Sequence, residues 1–170
     1  MLVEVDESWL ERRYYGGDLP ADAERCLHLA AASYSDPATA ESWLAQAAQA
    51  APGHRLVDLG HYKYHFYRAN LDTALGYGWK MVGHALASLG RNDDDWRLVT
   101  RDTADFSGLD HAPRLFLFAL TACGYLLLRL GRRDEGREVL TRVQDLDTAG
   151  RMGASRLLAI DDRHGQDEED

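Results

Sequence analysis

The chain has 170 residues, 45% of them hydrophobic and 28% charged, with a formal net charge of −9 and only four prolines. That length can bury a substantial core in a single domain, and the ordinary apolar content excludes wholesale disorder. The last ten residues carry six acids against one arginine, so the rest is mildly acidic, with no basic excess to neutralise phosphates, which speaks against nucleic acid as a partner.

Ala, Leu and Arg are abundant, Val, Ile and Thr are sparse, and no sustained alternation of apolar and polar residues occurs. Helices are therefore expected and a sheet is not. In chain order, Asp6 is placed to cap a short helix carrying Trp9, Leu10 and Tyr14, ended by Gly16-Gly17. Pro20 opens a helix over 21–34 with Cys26, Leu27, Leu29, Ala30 and Tyr34 on its apolar side. Ser35-Asp36-Pro37 stops it and starts a second over 37–50, with Ala40, Trp43, Leu44 and Ala47 in one stripe, ended by Pro52-Gly53. A third covers 54–68. Asn70 starts a fourth, whose stripe runs from Leu71 to Leu89, while Gly76 and Gly83 lie beside Trp79 and suggest close contact with a second neighbour. A fifth is expected over 93–106, with Asp93-Asp94-Asp95 at its N-terminus and Trp96, Val99 and Phe106 inward. Pro113 opens a sixth to Leu130, apolar on nearly every side and so sandwiched. A seventh covers 133–147. A short eighth at 151–160 buries Met152, Leu157 and Leu158 as a polar-faced cap, and 161–170 reads as a solvated, disordered acidic tail.

A repeat underlies these elements. Ala40, Leu44, Ala47 and Pro52 recur as Ala74, Gly78, Met81 and Leu86, and again as Gly136, Leu140, Val143 and Thr148, preceded by Gly124 and Gly131. Small residues at such offsets let the two helices of a hairpin touch, and units this short must stack to bury an apolar face. The pattern resembles the tetratricopeptide repeat (TPR). The best units are 21–54, 55–88 and 117–150, with 89–116 an irregular insert. The last fits most fully, with Gly124, Gly131, Gly136, Leu140 and Val143 at the small and bulky positions of the repeat, though Thr148 replaces its proline. In the first unit His28 stands where a small residue is usual, and in the second Tyr62 does. The resemblance implies an all-α fold: a right-handed TPR-like α-solenoid of antiparallel helix pairs in one domain, 1–160, with an irregular N-terminal segment and a C-terminal capping helix.

The resemblance also implies a protein-binding adaptor or scaffold that holds a peptide or partner helix in a concave groove. Matching positions would place Arg25 and Leu29, then Lys63, Phe66 and Tyr67, then Thr121, Tyr125, Leu128 and Arg129 along it. Aromatic and Arg side chains are the types that dominate interface energetics. Simple packing between helices is the competing reading for each aromatic. The Lys/Asn carboxylate clamp of some family members is not evident.

His54, Asp58, His61 and His65 are spaced 4, 3 and 4 apart and share one helical face. Two His four residues apart can share a metal, but the Glu of a metalloprotease helix is missing and no second element supplies ligands, so no metal is expected and a polar face is the plainer reading. A small-molecule or metal-binding helical protein using this face is one alternative to the adaptor, and a self-assembling module that pairs as a homodimer through its bare edge at 1–18 is another. No nucleophile elbow, phosphate loop or dinucleotide fingerprint occurs, so neither an enzyme nor a cofactor is expected. Cys26 and Cys123 read as buried reduced thiols. Met1–Val5 lacks the regions of a signal peptide. The most apolar run, Leu115–Leu130, is broken by Thr121, Gly124 and Arg129, which argues against a membrane span. A cytoplasmic location follows as the expectation.

Overall fold

A computed structural model describes residues 18–168. The helix expected around Asp6–Tyr14 lies outside them. The described chain is all-α, with seven α-helices and no strand among the described residues, and it parts into two compact units between Tyr64 and His65.

In the first unit, α1 (Ala21–Ala32) follows Pro20, whose carbonyl accepts the Glu24 amide at 3.0 Å. α2 (Pro37–Ala50) begins where expected because Asp36 caps it, accepting from the Thr39 hydroxyl at 2.7 Å, with Pro37 supplying the preset φ of a first turn. α3 (Arg55–Tyr67) lies over this hairpin. The contact is close: a Cβ at Gly60 would stand 2.8 Å from Leu27 Cδ2. Leu19, Ala23, Cys26, Ala47, Ala51, Leu56 and Val57 form one core cluster, and Ala30, Ala40, Leu44 and Tyr64 another. Tyr64 is wholly buried yet satisfied, its hydroxyl donating to Glu41 at 3.1 Å and its ring meeting Tyr34 edge-on at 5.5 Å.

In the second unit, α4 (Leu71–Ser88), α5 (His111–Arg129), α6 (Arg133–Leu146) and α7 (Ala154–Asp167) pack in chain order. α4 and α5 end the same way. Gly90 and Gly131 adopt φ of +79° and +77°, and the amides of Arg91 and Arg132 reach back to Leu86 and Leu127, a left-handed close that glycine accepts without strain. α5 is sandwiched, burying nine residues. Among the described helices only α5 is long and apolar enough to cross a membrane, and half of its most apolar window is buried inside the chain. Its backbone meets α6 at Gly124, where a Cβ would fall 2.7 Å from Leu140 Cγ, and at Gly136, where one would fall 2.8 Å from Leu128 Cδ2.

Three expectations are corrected. The helix over 93–106 is absent; only a single 3-10 turn, Trp96–Leu98, forms there. Side chains outcompete the helix for its backbone amides: Asp93 accepts from the Asp95 amide, Asp95 from Arg97, Thr103 from Thr100 and Asp105 from Ser107, at 2.9–3.3 Å. The segment still buries Trp96, Val99 and Phe106. Arginines strap it along α6 and beyond: Arg97 to Glu138, Arg101 to Asp145, and Arg151 to the Gly108 carbonyl. The close neighbour expected at Gly76 and Gly83 is not found, since a Cβ at either would meet no described atom within 4 Å. The disordered tail expected from 161 begins instead as helix, because α7 runs on to Asp167. Asp161 anchors that extension, pairing with Arg133 at 2.9 Å and Arg137 at 2.7 Å.

Two measurements check this packing. Gly124→Val is expected to destabilise the protein by about 2 kcal/mol or more through overpacking against Leu140, while Gly76→Ala, whose Cβ would meet no described atom, raises stability by about 0.5–1 kcal/mol; thermal unfolding reads both. Partial burial raises the Asp161 carboxyl pKa, but hydrogen bonds from Arg133 and Arg137 outweigh it and hold the group below its ordinary range. Its contribution is therefore complete at neutral pH and lost as pH falls below about 4 through the lowered value. Asp161→Asn should be less stable than the parent at pH 7, with the difference shrinking as the pH is lowered into the acid range in denaturant titrations.

Candidate functional site

In the first unit a cavity of about 300 Å³ lies between α1 and α3, lined mainly by apolar groups including Leu27, Tyr34 and Leu59, with His28 and Lys63 among its polar ones. Gly60 sits in its wall. Of the residues expected on a groove, Lys63 lines this cavity. Arg25 is exposed and Leu29 half-buried elsewhere on α1. The Leu29 carbonyl accepts from the Ser33 hydroxyl at 2.8 Å, a helix-end role.

In the second unit three of the expected residues come together. The Phe66 and Tyr125 rings lie 6.0 Å apart, tilted by 44°. Arg129, one turn beyond Tyr125, holds its guanidinium 5.7 Å from that ring and donates to the Tyr125 hydroxyl at 2.7 Å. Phe66 is 41% exposed and Tyr67 70%. Thr121 shares this α5 face by its four-residue spacing, but its hydroxyl donates to the Leu117 carbonyl at 2.6 Å and is satisfied within the helix. Leu128 packs toward Gly136 of α6 and serves the hairpin. The result is a small exposed surface with an aromatic floor and a guanidinium clamped beside it, which can bury apolar atoms and donate charged hydrogen bonds at once.

The His54–His65 face does not assemble a ligand set. His54 Nδ1 accepts the Leu56 amide at 3.1 Å, while its Nε2 stands 3.5 Å from Asp18. Asp58 and His61 are buried. His65 stacks on Tyr77 at 5.8 Å and touches the Asn70 amide group at 3.2 Å. Among the described residues no three His, Cys, Asp or Glu side chains are grouped to hold a metal. Shared helical phase was readable from spacing; the differing surroundings of each ring were not. Cys26 and Cys123 are free and buried, and desolvation pushes the Cys123 thiol far up, away from thiolate chemistry.

A second concavity was missed in the sequence. Trp79 of α4 stacks on Trp96 at 6.4 Å, and beside them opens a space of about 600 Å³ walled by Asp94, Asp95, Glu135 and Glu138. Arg97 lays its guanidinium 4.5 Å over Trp96 and donates to Glu138 at 2.6 Å. That hydrogen bond holds the Glu138 carboxyl below its usual range. The available signal was the run Asp93-Asp94-Asp95-Trp96-Arg97, which reads as helix-start charge only if a helix follows.

No family model matches the chain, and no solved structure does. The chain is 33% identical over 135 residues, 77% of its own length and 73% of the relative's, to an "uncharacterized 19.8 kDa protein in nifW 5′region" of Azotobacter chroococcum mcd 1.

Proposed function

This chain belongs to the family of that Azotobacter protein, and we propose that it works by binding another protein, as a TPR-like helical-repeat adaptor rather than an enzyme. The hairpin α5–α6 supports the repeat reading. Gly124 against Leu140 and Val139, and Gly136 against Leu128, make close approaches at the offsets of the repeat, and Gly131 closes the turn between the helices. The hairpin α1–α2 buries Ala40, Leu44 and Ala47 at matching positions. A right-handed solenoid is the architecture this packing favours, and the buried free thiols suit a reducing, cytoplasmic setting.

The observation that carries the binding proposal is Phe66, 41% exposed, leaning on Tyr125 beside the clamped Arg129. Leaving a large aromatic in water forfeits burial energy that a partner would recover. Arg129 donates to the Tyr125 hydroxyl, which keeps a guanidinium beside the ring for a partner's acceptor. The ligand that suits this surface is a peptide or helix bringing an apolar side chain flanked by an acceptor for the guanidinium.

The test compares bait proteins. Wild type and a Phe66→Ala/Tyr67→Ala double variant, matched for helicity and thermal midpoint, are used to capture proteins from a bacterial lysate with quantitative mass spectrometry. A specific partner should drop by roughly thirty-fold, the loss of about 2 kcal/mol typical of a binding hot spot. Identical capture by both baits would remove the surface from consideration.

A further inference from the structure

We infer that the concavity beside Trp79 and Trp96 is a receptor for an arginine side chain of a partner protein, and that Arg97 occupies it in the free chain. It opens on a different side of α5 from the Phe66 surface: Leu127 lines it, and Tyr125 lies two residues earlier, roughly 200° around the helix. The two sites stand or fall separately.

The chemistry is that of guanidinium recognition. Trp96 is nearly buried and stacked on Trp79 with only 20° between the ring planes, so an aromatic floor is fixed in place. Carboxylates of Asp94, Glu135 and Glu138 stand around it. A planar cation over an indole, with a carboxylate at its edge, is favoured through both the ring quadrupole and charge-assisted hydrogen bonds. Arg97 already makes that pair of contacts, 4.5 Å over Trp96 and 2.6 and 3.3 Å to the two Glu138 oxygens. The site is thus built for a guanidinium and holds one from its own chain.

Arg97 is a weakly held occupant. Its side chain is 54% exposed and that of Glu138 50%, the regime in which an ion pair contributes little. The floor beneath it is firm by contrast. The Asp93 and Asp95 carboxylates accept the Asp95 and Arg97 amides at 3.3 and 2.9 Å, fixing the turn that presents Trp96. An incoming arginine therefore displaces a loose side chain from a preformed seat, and the net charge of −9 favours the approach of a basic segment.

The experiment titrates the full chain with acetyl-Gly-Arg-Gly-amide and with its citrulline counterpart, which has nearly the same shape and no charge, following the Trp79 and Trp96 indole N–H resonances. The arginine peptide should shift both saturably and the citrulline peptide should not. Arg97→Ala should bind the arginine peptide roughly tenfold tighter, since it vacates the ring face and Glu138, and adding Glu138→Gln to that variant should reverse the gain. Equal shifts with citrulline, or none with arginine at millimolar concentration in wild type, would overturn the inference whether or not the variants fold.

Discussion

Close approach of helix backbones is the constraint on which the rest depends. A side chain at Gly124 would run into Leu140, one at Gly136 into Leu128, and one at Gly60 into Leu27. Each glycine costs helix stability in its own right, about 0.5–1 kcal/mol relative to alanine. The return is interdigitation: the facing leucines fill the space that a Cβ would have taken and bury more apolar surface than a wider spacing allows. Because the gaps are filled by leucine, Leu128 and Leu140 are committed to the hairpin, and surface chemistry on α5 falls to Tyr125 and Arg129, which flank Leu128.

The segment 89–110 shows the opposite balance. It follows a left-handed close at Gly90 that matches the one at Gly131, yet α6 begins immediately after the second and no α-helix begins after the first. The difference lies in what the next side chains do. After Gly131, Arg132 and Glu135 pair with one another at 2.7 Å across one turn and leave the amides to the helix. After Gly90, Asp93 and Asp95 take amides for themselves. Apolar Trp96, Val99 and Phe106 are buried without a helix, so the core is filled while the backbone stays irregular, and the concavity at Trp96 lies beside that irregular segment.

These cases explain how much could be read beforehand. Helix α2 was legible to the residue at both ends because Asp36-Pro37 and Pro52-Gly53 act on adjacent backbone. The apolar stripe of α4 and the sandwiched character of α5 were legible because burial imposes a period. The false helix over 93–106 arose because three aspartates favour a helix start and an Asx-type turn equally, and the spacing alone does not show which amides their carboxylates take. For the same reason α7 was cut short: its acids look like a solvated tail until Arg133 and Arg137, far back in the chain, are seen to face Asp161. Phe66, Tyr125 and Arg129 were picked as separate residues; that these three meet while Leu128 turns to α6 depended on rotation about α5.

α5 carries one more implication. A helix with the length and apolar content of a membrane segment has half of its most apolar window covered by the rest of the chain, and α6 supplies part of that cover. Ribosomal synthesis delivers α5 first, so its future α6 face stays uncovered until residues up to Leu146 have left the exit tunnel. During that interval the nascent chain exposes a sticky rod to chaperones, lipid and other chains, and the brevity of the α5–α6 link, Leu130–Arg132, shortens the wait.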